Sequence, residues 1–351
     1  MTVTAPAPAD TAPTGPSLAD TVPVVLSLVA GYVGHRTIAI GLRRGLIQHV
    51  ADHPGTTADD LAESLDLDPF YVSVWCRAAV AAGVLDRDGA GFRTAPHMAT
   101  LLLDSGSPAY AGALFPTFEQ PEMMGRFEKV LPSGERMWWD DTSPEWIAAV
   151  AGTGTPFYTR LVPGGLERVP GLGERLTAGC LVVDSACGSG IGAVRLANAY
   201  PNCRIVGVDG DRHTVEAARA RVAEAGLADR VQIVHSALED LTADEPATLV
   251  INNISMHECR DIDRVTENVR AVLEPGGWFV ISDFPFPDTD AALRTVPGRI
   301  MAGIQFFEAQ IDDQLLPRSA YDELLVRHGF TDLGSAQLAA VHALTWGRRP
   351  S

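Results

Sequence analysis

The sequence predicts an α/β fold in which a doubly wound, mostly parallel sheet follows a mainly helical domain. From about residue 177 onward, short apolar segments rich in β-branched residues alternate with helical segments, the pattern of a parallel sheet covered on both faces. A glycine-rich turn over residues 187–190 follows the first strand, and Asp209 closes the second about 20 residues later. Before residue 105 the order is helix, turn, helix and a short strand pair, which predicts a winged helix.

The composition limits the classes of function. At 351 residues the chain is long enough for two domains, and 46% hydrophobic residues are typical of a globular protein. The net charge of −17 argues against nucleic acid as a partner, because phosphate binding depends on clustered cations. No uninterrupted apolar stretch reaches the roughly 18–20 residues of a membrane span, so no membrane partner is expected. Five cysteines without CxxC spacing predict a reducing, cytoplasmic location.

The pattern divides the chain into four segments. Residues 1–20 are rich in Ala, Pro and Thr, lack the features of a signal peptide, and are predicted to form a disordered tail. Residues 21–105 are predicted to form the winged-helix domain. Residues 106–176 form a helical linker that contributes to a substrate pocket, and residues 177–351 form the sheet domain.

In the first domain, helices are predicted to begin at Thr56, a cap followed by acids, and at Asp68, where proline occupies the first turn. The second helix ends near Gly83, and residues 84–93 form two short strands. DNA binding is one interpretation of this arrangement. The second helix offers Arg77 as its single cation and is otherwise largely apolar, which favours packing against a partner.

Aromatic residues cluster in the linker. They are Trp138, Trp139, Trp146, Phe157 and Tyr158. The favoured interpretation is packing in the core or at the domain interface. The alternative is an aromatic wall of a substrate pocket, since ligand sites often lie between domains.

The sheet domain has five predicted strands and three helices between them. The strands are Cys180–Val183, Arg204–Val208, Val231–His235, Ala247–Asn252 and Trp278–Phe284. The helices are Ile191–Tyr200, His213–Ala225 and Ile262–Leu273. Residues 341–346 are predicted to return as an edge strand after a helix over 318–328.

The turn after the first strand has the residue types of a nucleoside-cofactor site. Gly188 and Gly190 let the backbone approach a ligand closely, and Asp209, followed by Gly210, can accept hydrogen bonds from ribose hydroxyls. The run 188–193 also satisfies the dinucleotide fingerprint if alanine fills its last position. Asp184 argues against a dinucleotide, because a pyrophosphate needs helix N–H groups and no nearby carboxylate. A cofactor with a sulfonium and an ammonium group tolerates or gains from an acid there.

The segment from Asp184 to Gly190 resembles motif I of class I S-adenosylmethionine-dependent methyltransferases, acid-x-Gly-x-Gly-x-Gly, with Ala186 replacing the first glycine. The first domain resembles the N-terminal dimerisation domain of small-molecule O-methyltransferases. Residues 274–278 resemble the family's Leu-x-Pro-Gly-Gly turn before strand five. The resemblance implies a Rossmann-like sheet, S-adenosyl-L-methionine as cofactor, a small-molecule substrate and a homodimer.

The resemblance also implies cofactor contacts. Asp184 would orient the glycine loop or meet the amino acid end of the cofactor through water. Ser236 and Ala237, after the third strand, lie where the family contacts adenine. Asn252 closes the fourth strand and faces the cleft in which open α/β folds bind ligands.

His257 and Glu258 follow the fourth strand. They resemble the His-Asp/Glu segment in which O-methyltransferases place their general base. An imidazole near neutral pKa can take a hydroxyl proton while the sulfonium methyl is attacked in line. Glu258 would orient the ring or face solvent.

Glu308 has two interpretations, a helix-surface residue or a side chain that reaches into the pocket. A small branch of this fold, iron-containing methyltransferases that act at the α-carbon of 2-oxo acids, has a His-acid pair after strand four and a further His in a similar later helix. Here Glu308 occupies the position of that His. One His and two carboxylates can ligate a hard divalent metal, with less support for iron.

The favoured prediction is O-methylation of a small molecule in specialised metabolism, with His257 as the general base and no metal. The alternative within the enzyme class is C-methylation at an activated carbon, with His257, Glu258 and Glu308 holding a metal or polarising an enol. Outside that class stand a DNA-binding regulator that senses the cofactor and a fold member that binds the cofactor without transferring methyl. The identity of the acceptor, and the choice among oxygen, carbon and nitrogen, stay open.

Overall fold

The computed structural model describes residues 15–351. Of the predicted tail, residues 1–20, the first 14 lie outside the described residues. Its last part is helical instead, since α1 begins at Leu18 and Ser17 caps it by accepting a hydrogen bond from the Asp20 N–H at 3.3 Å. A serine cap followed by an acid at the third helical position is a strong helix start, which the Ala/Pro/Thr composition obscured.

The chain divides into two compact units at Ala99 and Thr100, slightly before the boundary at 105 that the sequence suggested. The elements up to this boundary are α1 (Leu18–Arg43), α2 (Leu46–Asp52), α3 (Ala58–Ser64), α4 (Pro69–Ala81), β1 (Leu85–Asp88) and β2 (Gly91–Thr94), and α5 (Met98–Leu102) crosses it. α3, α4 and the antiparallel β1–β2 pair follow in the predicted order. The boundary lies earlier because the segment after residue 100 folds on itself, with the Ala111 N–H donating to the Leu101 carbonyl at 2.8 Å.

α1 is the longest helix, and much of its apolar surface is exposed. Val25, Val29 and Tyr32 are 55%, 58% and 66% exposed. Among residues 15–351 it is the one helix long and apolar enough, by length and composition, to cross a membrane, and 17% of its most apolar window is buried. The sequence-based search for an uninterrupted apolar run missed it, because small polar residues such as Ser27 interrupt the run without ending the helix.

The second unit contains a seven-stranded sheet and the helices around it. Its elements are α6 (Leu114–Phe118), α7 (Gly125–Val130), α8 (Pro144–Arg160), α9 (Leu172–Ala178), β3 (Leu181–Ser185), α10 (Ile191–Ala199), β4 (Arg204–Asp209), α11 (Arg212–Glu224), β5 (Val231–His235), β6 (Ala247–Asn253), α12 (Ile262–Val272), β7 (Leu273–Asp283), α13 (Asp290–Leu293), α14 (Val296–Glu308), α15 (Arg318–Arg327), β8 (Thr331–Ala339) and β9 (His342–Arg348).

The strand order is β5-β4-β3-β6-β7-β9-β8. β3 to β7 run parallel, and β9 runs antiparallel to both β7 and β8. This confirms the predicted doubly wound, mostly parallel sheet. Two apolar clusters cover its faces, and all residues of β6, its central strand, are buried. Both faces of a parallel sheet are normally covered by the crossover helices.

One predicted detail of the sheet is wrong. The last strand is not at the edge, because β8, which the sequence analysis missed, pairs with it on the outside. β8 is half-exposed and contains Gly334, so it lacks the apolar run that identified the other strands. The turn at residues 275–277 is the irregular start of β7, where Gly276 has φ +81° and the register shifts between Ala247 and Leu249.

Candidate active site

Four polar side chains lie at the carboxyl ends of neighbouring parallel strands. Asp184 precedes the end of β3, Asp209 ends β4, Asn252 lies near the end of β6, and Asp283 ends β7. Register places Ser185 opposite Asn252, so these strands end at one edge of the sheet. In open α/β sheets, ligands bind outside this edge, at the point where strand order reverses.

The glycine turn between β3 and α10 has the backbone of a ligand-binding loop. Gly188 and Gly190 have φ values of +50° and +78°. A Cβ at Gly190 would lie 3.0 Å from the Ala218 Cβ, so a side chain there would crowd α11. Ala186 has φ +61°, a left-handed conformation that glycine adopts more easily. The one irregular position of the motif is therefore a strained alanine in a glycine conformation.

Asp209 joins this turn to β4. Its Oδ2 accepts a hydrogen bond from the Gly188 N–H at 2.8 Å. Its Oδ1 accepts from the Asp211 N–H at 2.9 Å and from the Thr214 hydroxyl at 3.1 Å. The carboxylate is thus held in one orientation beside the glycine turn. Gly210 follows it, and its carbonyl lies 3.0 Å from His235 Nε2.

Asp184 is fully buried, and Tyr158 from α8 holds it. The Tyr158 hydroxyl donates to Asp184 Oδ1 at 3.0 Å, whereas Asp184 Oδ2 has no hydrogen-bond partner among the described residues. Burial raises the pKa of Asp184 to about 7, the Tyr158 hydrogen bond opposes this, and the charge of Asp209 adds to it. A buried carboxylate oxygen without a partner fits an ammonium or sulfonium group of a bound cofactor.

Gly192 makes room for this contact. A Cβ at Gly192 would lie 2.0 Å from the Tyr158 ring, so glycine is required where α10 passes α8. From the sequence, Tyr158 was predicted to belong to an aromatic cluster and not to lie beside the cofactor turn. The two segments are 26 residues apart, and no local pattern connects Tyr158 with Asp184.

The remaining predicted cofactor residues lie at the same edge. Ser236 and Ala237 follow β5, and a Cβ at Gly210 would lie 3.8 Å from the Ala237 Cα. The Asn252 side chain donates from Nδ2 to the Ser185 hydroxyl at 3.3 Å, and its Oδ1 is buried without a hydrogen-bond partner among residues 15–351. The structure thus brings together both sides of the predicted cofactor site.

His257 lies in a short helical turn, Met256–Glu258, after β6, and its side chain is 2% exposed. Its Nδ1 is 2.9 Å from Asp283 Oδ2. Asp283 is fixed in turn, because its Oδ2 also accepts from the Tyr321 hydroxyl at 2.6 Å and its Oδ1 accepts from the Phe284 N–H at 2.7 Å. A carboxylate only accepts, so His257 carries its proton on Nδ1 and directs Nε2 away from Asp283.

The two glutamates that the sequence analysis singled out lie on the Nε2 side. Nε2 is 3.9 Å from Glu258 Oε1 and 3.8 Å from Glu308 Oε2. Glu308 is 4% exposed at the end of α14, and its Oε2 has no hydrogen-bond partner within the described part of the chain. The interpretation of Glu308 as a helix-surface residue is therefore wrong, and the interpretation as a pocket residue agrees with the structure.

The acidic surroundings shift the pKa of each group. Burial alone would lower the pKa of His257, but the charges of Asp283 and Glu308 and the hydrogen bond to Asp283 together raise it well above its usual value. Burial and the charge of Glu308 raise the pKa of Glu258 well above its usual range. Burial and the charge of Glu308 also raise the pKa of Asp313 to about 6. Strongly shifted groups clustered in a cleft are typical of active sites.

A cavity of about 360 Å³ opens beside these residues. His257, Glu258 and Glu308 lie on its wall, and the rest of the wall is mainly apolar. The aromatic part of the wall consists of Tyr110, Phe118, Trp139, Trp146, Phe157, Phe284 and Phe307. Its size and apolar wall are typical of a small-molecule pocket.

The linker aromatics have several roles. Trp146 and Phe157 are buried and also line the cavity. Trp138 does not line the cavity. This residue is 38% exposed, and the guanidinium carbon of Arg260 lies 3.8 Å from the centre of its ring. Core packing and a pocket wall are thus both present.

Three site residues, Asp283, Tyr321 and Arg160, were not predicted from the sequence. Asp283 carried a usable signal, since it ends an apolar strand next to the one before His257. Tyr321 lies 38 residues from Asp283 on α15, and Arg160 lies on α8, so only the tertiary fold reveals them.

Comparison with known proteins agrees with this geometry. Residues 182–277 match the family model of a methyltransferase domain. The curated relatives include the methyltransferase GfsG of Streptomyces halstedii, 32% identical over 149 residues, which are 39% of this chain and 53% of that protein. The chain spans about half the length of the curated relatives it matches.

The fold is shared over almost the whole chain with solved methyltransferases. An O-methyltransferase family protein from Burkholderia thailandensis superposes with a TM-score of 0.72 at 19% identity, covering 94% of this chain and 98% of that one. The mitomycin 7-O-methyltransferase MmcR superposes with a TM-score of 0.73 at 17% identity, with the same coverage. At these identities the likeness establishes the fold.

Proposed function

We propose that this chain, whose residues 182–277 match a methyltransferase domain, transfers the methyl group of S-adenosylmethionine to a hydroxyl group of a small molecule. One observation carries the proposal. The buried His257, held at Nδ1 by Asp283, lies on the wall of an apolar cavity beside the strand ends that carry the predicted cofactor site. Natural-product methyltransferases among the similar proteins support specialised metabolism as the setting.

The site geometry supports the predicted cofactor residues. The glycine turn with Ala186, Gly188 and Gly190 would receive the amino acid end, and Asp209 would accept from the ribose hydroxyls. Asp184, whose Oδ2 lacks a partner among the described residues, would face the cationic part. When bound, S-adenosylmethionine supplies an electrophilic methyl group on a sulfonium centre. Gly210, Ser236, Ala237 and Asn252 complete the proposed contacts at the neighbouring strand ends.

In this proposal His257 is the general base. Asp283 fixes the tautomer with the proton on Nδ1, so Nε2 takes the proton from the acceptor hydroxyl as the oxygen attacks. Asp283 and Glu308 raise the pKa of the ring, which strengthens it as a base once it is neutral. The turnover rate is therefore expected to rise with pH as His257 loses its second proton.

The two glutamates would position the acceptor. Glu258, whose raised pKa favours the protonated form, can donate a hydrogen bond into the cavity. Glu308 directs to the same place an oxygen that has no partner among the described residues, and this oxygen can accept from a second donor group of the acceptor, because the single proton of the reacting hydroxyl is directed to Nε2. Both side chains thus orient the hydroxyl toward Nε2.

Mass spectrometry tests this proposal. The protein is incubated with S-adenosylmethionine that carries a deuterium-labelled methyl group and a panel of small hydroxylated aromatic compounds. A labelled methyl ether is expected, and His257→Ala should lower kcat by about 10²–10⁴-fold. Full turnover by His257→Ala, or label found only on carbon, would contradict the proposal.

Metal-assisted C-methylation at an activated carbon is the second candidate, and one observation favours it. One ligand atom each from His257, Glu258 and Glu308 lies within 4.8 Å of the others, and Asp283 supports the imidazole from its far side, as carboxylates do for metal-bound histidines. These residues would hold a hard divalent cation, which polarises a bound enol.

Elemental analysis separates the two candidates. Protein purified without chelator is expected to contain well below one metal per chain if O-methylation without metal is correct. The metal-assisted candidate requires about one metal per chain, lost in Glu308→Gln and retained in Glu267→Gln, a change on the exposed face of α12.

We further propose that a second copy of the chain covers α1. Val22, Val25, Val29 and Tyr32 recur at spacings of three and four residues, as along a coiled-coil seam, and all are exposed in the single chain. Sedimentation equilibrium should show a dimer, and Val25→Asp should give a monomer while Val326→Asp on α15 does not. A monomeric wild type that floats with neutral phospholipid vesicles would contradict this and favour a membrane contact.

A cytoplasmic enzyme without nucleic-acid partners completes the proposal. All five cysteines are free, which favours a reducing compartment. On α4, Phe70 and Tyr71 are exposed where a DNA-reading helix would present cations. Salt-dependent binding to duplex DNA would overturn this part.

A further inference from the structure

We infer that the methyl acceptor carries a carboxylate, and that the Arg160 guanidinium binds it inside the cavity. This inference rests on the proposed function, because it concerns the same pocket. Arg160, the last residue of α8, lies on the cavity wall that His257, Glu258 and Glu308 share. It is the single Lys or Arg on that wall among the described residues.

Among the described residues, the partners of Arg160 are all neutral. Its Nε donates to His342 Nδ1 at 2.9 Å, and one terminal nitrogen donates to the Pro108 carbonyl at 2.8 Å. The guanidinium carbon lies 4.9 Å above the centre of the Phe157 ring. Within the described part of the chain, no carboxylate oxygen lies within 4.0 Å of its nitrogens. A partly buried cation is normally paired with an acid, so the charge of Arg160 lacks its usual compensation.

A chain of hydrogen bonds fixes the guanidinium and keeps its support neutral. Arginine only donates, so His342 Nδ1 accepts, and the His342 Nε2–H donates to the Ser282 hydroxyl at 2.7 Å. The Ser282 hydroxyl donates in turn to Asn253 Oδ1 at 2.7 Å. His342 is fully buried, and burial together with the charge of Arg160 keeps its pKa well below the usual value. The ring therefore orients Arg160 without neutralising it.

The donors that remain suit a carboxylate. The second terminal nitrogen of Arg160 takes part in none of the hydrogen bonds found among residues 15–351, and the first has one further proton. Two parallel N–H groups in one plane match the two oxygens of a carboxylate.

The opposite wall fixes the orientation of the acceptor. Glu258 and Glu308 beside His257 disfavour an anion there. Aromatic rings connect the Arg160 end of the cavity with the His257 end. The ring centres of Phe157 and Phe284 are 4.9 Å apart, and those of Phe284 and His257 are 6.3 Å apart. The acceptor is therefore an apolar, aryl-bearing acid whose carboxylate meets Arg160 and whose methyl-accepting group meets His257.

Calorimetry with matched ligand pairs tests the inference. The protein is saturated with S-adenosylhomocysteine and titrated with benzoate, 3-phenylpropanoate and indole-3-acetate, each paired with its carboxamide. At least one acid is expected to bind about tenfold or more tightly than its amide, as a charge-assisted bidentate contact provides. Arg160→Gln should abolish this preference, and Arg160→Lys should retain part of it.

Arg168→Gln is the matched control, because Arg168 donates to the Gln337 carbonyl outside the cavity wall and should not affect the preference. The inference is overturned if no acid binds more tightly than its amide, or if Arg160→Gln keeps the preference. Failure of S-adenosylhomocysteine to bind would count against the proposed function but not against this inference. The affinities of each acid and its amide would then be compared in the protein without S-adenosylhomocysteine.

Discussion

Replacing Asp283 by Asn tests the proposed base most sharply. The change removes a negative charge 2.9 Å from Nδ1 of His257. The side chains of His257 and Asp283 are 2% and 3% exposed, so solvent screens this charge little. The Asp283→Asn variant keeps a carbonyl oxygen of similar size, so the imidazole can stay in place. Burial still lowers the pKa of His257 in this variant, and only the charge of Glu308 is left to raise it.

The sign of the effect on activity follows from the protonation state. The proposed base is active when Nε2 is unprotonated, so the rate rises as pH passes the pKa of His257. In the wild type that pKa is raised, so the rising limb of the pH–rate profile, the pH range in which kcat increases, lies above pH 6.5. In Asp283→Asn the pKa falls and the limb moves to lower pH.

The maximum rate should also fall. A hydrogen bond to a charged partner contributes about 1.5–3 kcal/mol. At about 1.4 kcal/mol per tenfold change, losing this contribution in the transition state lowers kcat by about 10- to 150-fold.

Two assays check these effects. kcat is measured between pH 5 and 9 with the acceptor found by mass spectrometry, and the His257 ring is titrated by nitrogen-15 NMR. Tyr321→Phe is the matched control, since it removes the 2.6 Å hydrogen bond to Asp283 but leaves the charge, so the limb should stay in place. If neither the pH–rate profile nor the His257 titration changes in Asp283→Asn, Asp283 does not raise the pKa of His257, and the proposed role of this pair is wrong.

Three further predictions concern the cofactor turn. The folded pKa of Asp184 is about 7 against an ordinary 3.8, so the folded chain binds a proton that the unfolded chain releases, and stability falls as pH rises from about 4 to 7. Asp184→Asn removes this loss. In urea unfolding, the free energy of unfolding of the variant relative to wild type should therefore increase by on the order of 3 kcal/mol between pH 5 and 8. A difference that does not change with pH would contradict the effect of burial on Asp184. Gly192→Ala should lower Tm by several degrees, because its Cβ would lie 2.0 Å from the Tyr158 ring and overpacking costs about 1–3 kcal/mol; an unchanged Tm would show that α8 yields freely. Ala186→Gly should raise the free energy of unfolding by up to about 1 kcal/mol, since φ +61° suits glycine, and a loss of stability would mean that chain entropy outweighs the strain.

Local patterns were enough to predict most of the fold. β5 has the predicted bounds Val231–His235, and the other parallel strands of the sheet overlap their predicted ranges. Each has an apolar run that ends in a polar or glycine-containing turn, which both burial and chain reversal require. β8 was missed because an edge strand is half-exposed and needs no such run.

The site could be predicted only where its residues follow strand ends. Asp184, Asp209 and His257 each stand just inside or after a strand, so the rule that parallel strands end together places them near one another. Tyr158 and Arg160 come from α8, and their partners lie 26 and 182 residues away. Contacts of that kind depend on how helices pack on the sheet, which sequence periodicity does not specify.

Calorimetric titration of the purified chain with S-adenosylmethionine is the most direct test of the proposed function, because the methyl transfer depends on that cofactor binding at the ends of β3 and β4. One molecule is expected to bind per chain, at least tenfold more weakly in Asp209→Ala, where a charged hydrogen-bond acceptor is lost. Under the same conditions NAD should not bind. Binding of NAD without binding of S-adenosylmethionine would contradict the proposed function.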